Sequence, residues 1–373
     1  MFFNCQIDLY EMPKSGGTPS TNDHWAFHMT NKTSPDTSGR TKNEHMNLKT
    51  TYMGLQLESP VVVSACPLSD NMDNIKKMEE SGAGAIVMFS LFEEQIRQQD
   101  ALYESIRSVT GDGFAESSSF FPGLADYEVG PNEYLEKIRL AKQQTGIPII
   151  GSLNGITNEG WIDYAKQIEE AGADALEINV YFIPADIATT GGQVEQRYID
   201  IVKHVTSAVR IPVAVKLNPY FSATGNMARR LHDAGAKAIV LFNRFYQPDF
   251  DIHHLRVLPN LQFSHTSEIR LPLLWLAILY GRIPVSLAAT SGVQSEVEVI
   301  KYLLAGADVA MVASTLYKHG IGFIEEMNKG LGEWMQQMGF DSIDAFKGSM
   351  SQLNISDPTA YERANYIKIV SNS

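Results

Sequence analysis

The chain has 373 residues, 44% of them hydrophobic and 20% charged, and carries a formal net charge of −13. That size suits one large barrel or two ordinary domains. The acidic balance repels phosphate backbones and anionic headgroups, which argues against nucleic acid and membrane surfaces and for a small-molecule substrate.

Cys5 and Cys66 are the two cysteines. They provide no disulfide framework, CxxC metal site or iron–sulfur ligand set, so no metal site is expected and a cytoplasmic, reducing compartment is. The opening Met-Phe-Phe-Asn does not read as a signal peptide, and the most apolar stretch, residues 271–279, is too short to span a bilayer and reads as a buried helix.

Residues 1–45 are rich in Ser, Thr, Asn, Lys, Gly and Pro without apolar periodicity, so they are expected to form a disordered tail, with Met46 a candidate natural start. Residues 46–373 are then expected to be the folded unit. Residues 48–57 read as a short hairpin. Beyond Ser59-Pro60, short apolar runs alternate with longer amphipathic segments, the pattern of parallel strands joined by crossover helices. Eight strands are predicted, at residues 61–65, 85–89, 148–153, 175–180, 213–217, 238–242, 284–288 and 309–312.

Punctuation supports that count. Ser81-Gly82-Ala83-Gly84-Ala85, Ala171-Gly172-Ala173-Asp174-Ala175, Ala234-Gly235-Ala236-Lys237-Ala238 and Ala305-Gly306-Ala307-Asp308 each read as a helix end with a left-handed glycine cap before a strand. Ile147-Pro148, Ile211-Pro212 and Ile283-Pro284 place proline at the first strand residue, where its missing N–H is tolerated. The expected fold is therefore α/β, a (β/α)8 TIM barrel. Long connections at 91–131 and 244–266, after the second and sixth strands, fall on the barrel face where active sites are built, and are expected to act as lids.

The loops after the last two strands, Ala289-Thr290-Ser291-Gly292-Val293 and Ala313-Ser314-Thr315-Leu316, read either as ordinary helix caps or, taken together, as a phosphate site of N–H groups and hydroxyls. Lys216 ends the fifth strand. Its charge must face the barrel mouth, either as a snorkelling side chain or as a cationic partner for an electron-rich flavin or a substrate anion. Asn179 and Asn243 close the fourth and sixth strands, as buried amides serving the loops or as a pair reading a planar polar ligand.

These residues resemble the class 1 dihydroorotate dehydrogenases, over about residues 48–346. Ser59-Pro60-Val61-Val62-Val63-Ser64-Ala65-Cys66 resembles the family's opening strand, whose loop lies against the flavin, so Ser64 and Ala65 are candidate cofactor contacts. Ala214-Val215-Lys216-Leu217-Asn218-Pro219 resembles its flavin-contacting lysine strand, and Glu177-Ile178-Asn179 its Glu-Leu-Asn strand. Asn243 falls on an orotate-binding asparagine, and Ser291, Gly292, Ser314 and Thr315 fall on its phosphate loops. The resemblance implies a cytosolic FMN enzyme of pyrimidine biosynthesis, transferring a hydride between a CH–CH bond and the flavin. It also implies a homodimer.

The substrate side departs from that pattern. Val180-Tyr181-Phe182-Ile183-Pro184 stands where the family has Ser-Cys-Pro-Asn or Ser-Ser-Pro-Asn, so Phe182 takes the place of the catalytic base and Tyr181 is the nearest proton donor or packed aromatic. Phe89 aligns with a substrate-binding lysine, Phe120-Phe121-Pro122-Gly123-Leu124 replaces an Asn-rich segment although Asn132 persists, and Thr266-Ser267 replaces a glycine pair. A more aromatic pocket is expected. Cys66 is a reactive thiol or a small hydrophobe. A reductase of another unsaturated ring and a non-redox phosphate-binding barrel remain alternatives, and fumarate, NAD through a partner and quinone remain open as acceptors.

Overall fold

The structure is a computed structural model describing residues 46–92, 131–155, 160–244, 248–258 and 262–362, all within the unit His45–Ser373. The tail 1–45, the 93–130 part of the first long connection and the segment Phe120 to Leu124 lie outside the described residues.

Strands β3 (Val61–Val63), β4 (Ala85–Val87), β6 (Ile149–Gly155), β7 (Ala175–Val180), β8 (Val213–Leu217), β9 (Ala238–Leu241), β12 (Ser286–Ala289) and β13 (Val309–Val312) occupy the eight predicted positions. They are parallel, and the pairings β3–β13 and β4–β6 close them into a (β/α)8 barrel. Helices Met72–Glu80, Pro131–Gln144, Gly160–Glu170, Gly191–Ala208, Thr224–Asp233, Arg270–Leu279 and Glu296–Ala305 connect them in turn, and Phe323–Met338 follows the last strand.

The repeated glycine phrase works as its chemistry requires. Gly82, Gly172, Gly235 and Gly306 have φ of 84°, 97°, 104° and 116°, which side chains with a Cβ adopt only at a cost. In the first phrase a second constraint follows, because a Cβ at Gly84 would stand 1.9 Å from the Ser59 carbonyl oxygen.

Most hydrophobic burial lies between sheet and helices, where Ile86, Leu176, Val215 and Leu287 meet the helix faces. The lumen is a smaller cluster. There β7, β8, β9 and β12 contribute alanines, Ala175, Ala214, Ala238 and Ala288, and the space they leave is filled by Tyr52, Met53 and Leu57. Those three come from the hairpin β1 (Thr50–Tyr52) and β2 (Leu55–Leu57), which plugs the end of the barrel where strands begin. Thr50 Oγ1 donates to the Asp308 carbonyl at 3.0 Å and Met53 N–H to Ser286 Oγ at 3.0 Å.

Two elements differ from the sequence reading. The second strand resumes as β5 (Leu91–Phe92) beside the same neighbour, β6, after a break at residues 88–90. At that break the Tyr134 hydroxyl accepts from Ser152 N–H at 2.7 Å and donates to the Ser152 carbonyl at 3.1 Å, replacing the missing ladder partner. The second long connection carries an antiparallel hairpin, β10 (Asp249–Asp251) and β11 (Arg256–Leu258). Among the described residues no helix is long and apolar enough to cross a membrane.

Candidate active site

Side chains alternate between the two faces of a strand, so the residues two beyond the luminal alanines also face inward. Above Ala175 stand Glu177 and Asn179, and above Ala214 stands Lys216; parallel pairing puts Asn154 beside Asn179 and Asn179 beside Lys216. The result is a polar layer over an apolar floor. Ser64, Glu177, Asn179 and Lys216 are all buried.

Lys216 Nζ lies 3.5 Å from Glu177 Oε1 and 3.3 Å from Ser64 Oγ. The structure therefore brings together two of the predicted residues, Ser64 and Lys216, and adds a carboxylate to them. Asn243 Nδ2 donates to Asn179 Oδ1 at 2.9 Å, joining the other predicted pair. Ala65 follows Ser64, half-buried.

The loops above these strands are pinned from below. The Tyr198 hydroxyl, on helix Gly191–Ala208, donates to the Val180 carbonyl at 2.6 Å and accepts from Asn218 Nδ2 at 2.8 Å. Burial holds that phenol neutral, pushing its pKa up to about 12. Tyr181 is half-buried just past Val180. Phe182 is also half-buried, and the Arg197 guanidinium lies 4.0 Å over its ring.

Phe89 corrects the expectation of an aromatic pocket. The ring is 2% exposed and packs edge-on against Tyr134, 5.0 Å between centroids, in the layer between sheet and helices. The break at residues 88–90 accounts for this, since it interrupts the alternation, and the Phe89 N–H is taken by Ser69 Oγ at 2.7 Å. Ser90 instead meets the luminal Ser152, 2.8 Å between hydroxyls. Asn132 is exposed in the first turn of its helix. For Cys66, burial pushes the thiol pKa up, partly offset by hydrogen bonds and the Lys216 charge. That favours a small buried group over a thiolate nucleophile.

The predicted phosphate loops sit together. Ser291 and Gly292 are successive left-handed residues, φ 79° and 74°. Only glycine fits at 292, where a Cβ would approach the His265 carbonyl oxygen to 2.9 Å. Gln294 ties the two loops, its Nε2 donating to Ser314 Oγ at 3.0 Å and its carbonyl accepting from Thr315 Oγ1 at 3.4 Å. The Ser291 hydroxyl donates to the Phe242 carbonyl at 3.3 Å. These side chains thus hold the loops in shape. Among the described residues, the backbone N–H groups of Ser291, Gly292, Ser314 and Thr315 have no acceptor. Four unclaimed N–H donors on adjoining loops fit a phosphate group.

Sequence reasoning missed Asn154, Glu177 and Gln294 as members of the site. The first two were legible by counting every second residue along β6 and β7. Gln294 carried no local signal, because its partners lie on a different strand's loop.

The family model for dihydroorotate dehydrogenase matches residues 122–335. The chain is 27% identical over 311 residues to the catalytic subunit of dihydroorotate dehydrogenase B (NAD(+)) of Thermoplasma volcanium, covering 81% of this chain and 98% of that protein. It is 27% identical over 304 residues to the corresponding subunit of Methanocaldococcus jannaschii, covering 77% and 96%. A putative dihydroorotate dehydrogenase A (fumarate) of Aeropyrum pernix is 25% identical over 309 residues, covering 81% and 96%.

Proposed function

The chain belongs to the dihydroorotate dehydrogenase family, flavin-dependent oxidoreductases acting on CH–CH donors, and from that premise we propose that it uses FMN to oxidise or reduce a small cyclic substrate. Dihydroorotate, as in pyrimidine biosynthesis, is the reference substrate. One observation carries the cofactor assignment: a buried ammonium, Lys216, lies at the same barrel end as four N–H groups that find no acceptor among the described residues. An anionic ligand with an electron-rich ring satisfies both.

In this reading the N–H groups of Ser291, Gly292, Ser314 and Thr315 hold the phosphate, and Ser64, Ala65 and Lys216 line the ring. Bound FMN supplies the two-electron acceptor. Lys216 places a fixed positive charge where negative charge accumulates during the reaction, which in a dry site is a large stabilising term. The Asn179–Asn243 amide pair orients a planar polar substrate. Phe182 stands at the family's base position and cannot take a proton, which leaves Tyr181 to exchange one with the substrate as a donor.

The folded unit of this enzyme is residues 46–373, in a cytoplasmic homodimer. The relatives named as catalytic subunits and the one named for fumarate support a separate electron acceptor reached through the mouth. Mass spectrometry of the ligand released from purified, FMN-reconstituted protein tests the assignment. FMN at one per chain is expected; a sugar phosphate, or no ligand after reconstitution, would overturn it.

A further inference from the structure

Glu177 is a charged residue in the lumen of a barrel whose floor is alanine and valine, and nothing in the proposed reaction uses it. It is 1% exposed. Neither carboxylate oxygen has a hydrogen-bond partner among the described residues, and its ionic neighbour is the Lys216 ammonium at 3.5 Å. A carboxylate so placed is costly unless it is paired. Its presence therefore needs the lysine, and the lysine's position reflects the carboxylate.

The second contact of the ammonium shows what the pairing achieves. Ser64 follows β3, and in the strand order β3 lies opposite β8, four strands away in either direction. The Lys216 side chain thus crosses the lumen, and its ammonium is held between Glu177 on the neighbouring strand and Ser64 on the far wall. Lysine is a point charge on a flexible four-carbon stem with three donors. One hydrogen bond to the far wall and one ion pair to the neighbouring strand fix the charge in space and leave donors for a ligand.

We propose that Glu177 is a positioning residue for Lys216: it anchors the ammonium beneath the bound ring and compensates part of its charge, so that it sets the reduction potential of the flavin. The inference rests on the FMN assignment above. The carboxylate offsets part of the charge that the ammonium brings to the ring. Glu177→Gln keeps the shape and leaves one uncompensated positive charge, which favours the anionic reduced ring and raises its potential.

The test compares wild type, E177Q, K216M and E177Q/K216M, each flavin-free and FMN-loaded. In flavin-free protein each single change strands one buried charge, so both singles should melt several degrees lower and the double variant should recover much of the loss. Additive losses would overturn the pairing. In loaded protein, equilibrium titration against a reference dye should show E177Q shifted to higher potential by at least tenfold in the two-electron equilibrium constant, about 30 mV.

An unshifted potential would confine Glu177 to structure and overturn the proposal, whatever the melts show. If E177Q does not fold, Glu177→Asp, which draws the charge back from the ammonium, should shift the potential in the same direction by less, and no shift there overturns it equally. No flavin uptake by wild type sinks the cofactor reading together with this one. Normal uptake with an unshifted potential sinks this one alone.

Discussion

A phenyl ring can neither accept nor deliver a proton, so what Phe182 does to the reaction depends on what its ring replaces. General-base assistance is typically worth about 10²–10⁴ in rate. Dihydroorotate is therefore expected to reduce the bound flavin slowly, and Phe182→Cys, which introduces an ionisable thiol, should accelerate that reduction by up to the same factor in anaerobic stopped-flow absorbance. Efficient bleaching of the unmodified protein by dihydroorotate would mean that another group serves as base. The same reasoning does not extend to Phe89. Its ring lies against Tyr134 with Lys137 Nζ 5.7 Å from its centroid, so Phe89→Lys would bury an ammonium in an apolar layer, close to the ion-paired Lys137, instead of adding a substrate contact. The alignment of this position with a lysine was legible in the sequence. The direction of its side chain was not, because direction follows from the break in the strand.

That break is an element-scale feature with a single residue at its centre. Tyr134 reaches from helix Pro131–Gln144 to satisfy both backbone groups of Ser152, and burial raises the pKa of its hydroxyl, keeping it protonated. Tyr134→Phe removes both hydrogen bonds and leaves buried polar groups unpaired, which costs roughly 1–3 kcal/mol for such a loss; urea denaturation should show a lower midpoint at unchanged slope. A midpoint equal to wild type would mean that β6 finds another partner. The eight strands were readable because glycine caps and Ile-Pro starts are local signals. What β4 and β5 do between residues 87 and 91 depends on a tyrosine more than forty positions away, and no local pattern encodes that. The hairpin of β10 and β11 was missed for another reason. Phe250 and Val257 are exposed among Asp249, Asp251, His253, His254 and Arg256, so no alternation of buried and exposed residues marks it.

For the whole molecule, truncation and alkali test different parts of the account. The first 45 residues lack the apolar composition needed to offset their ordering entropy, so a chain beginning at Met46 should keep its flavin content and its melting temperature. A fall of several degrees would show that the tail contributes to stability. Alkali acts on the core. Tyr52, Tyr134, Tyr198 and Tyr302 are fully buried, and burial raises all four phenols above the ordinary value. Unfolded, they ionise near pH 10, whereas folded they keep their protons. The stability they contribute is whole below that pH and falls above it, by about 1.4 kcal/mol per pH unit for each phenol, and Tyr198 stops contributing further loss near pH 12. Absorbance at the phenolate band should show none of these four titrating near pH 10 while the fold persists; independent, reversible ionisation there would contradict their burial. The plug hairpin carries a consequence of another kind, for synthesis. Its partners Ser286 and Asp308 lie 233 and 258 residues further along the chain, so this hairpin leaves the ribosome with no docking site until almost the last strand has followed. Contacts of such separation form late. Until then the ends of β12 and β13 that receive it stay open to other chains, and the slowest and most error-prone event in making this enzyme should be the closing of its floor.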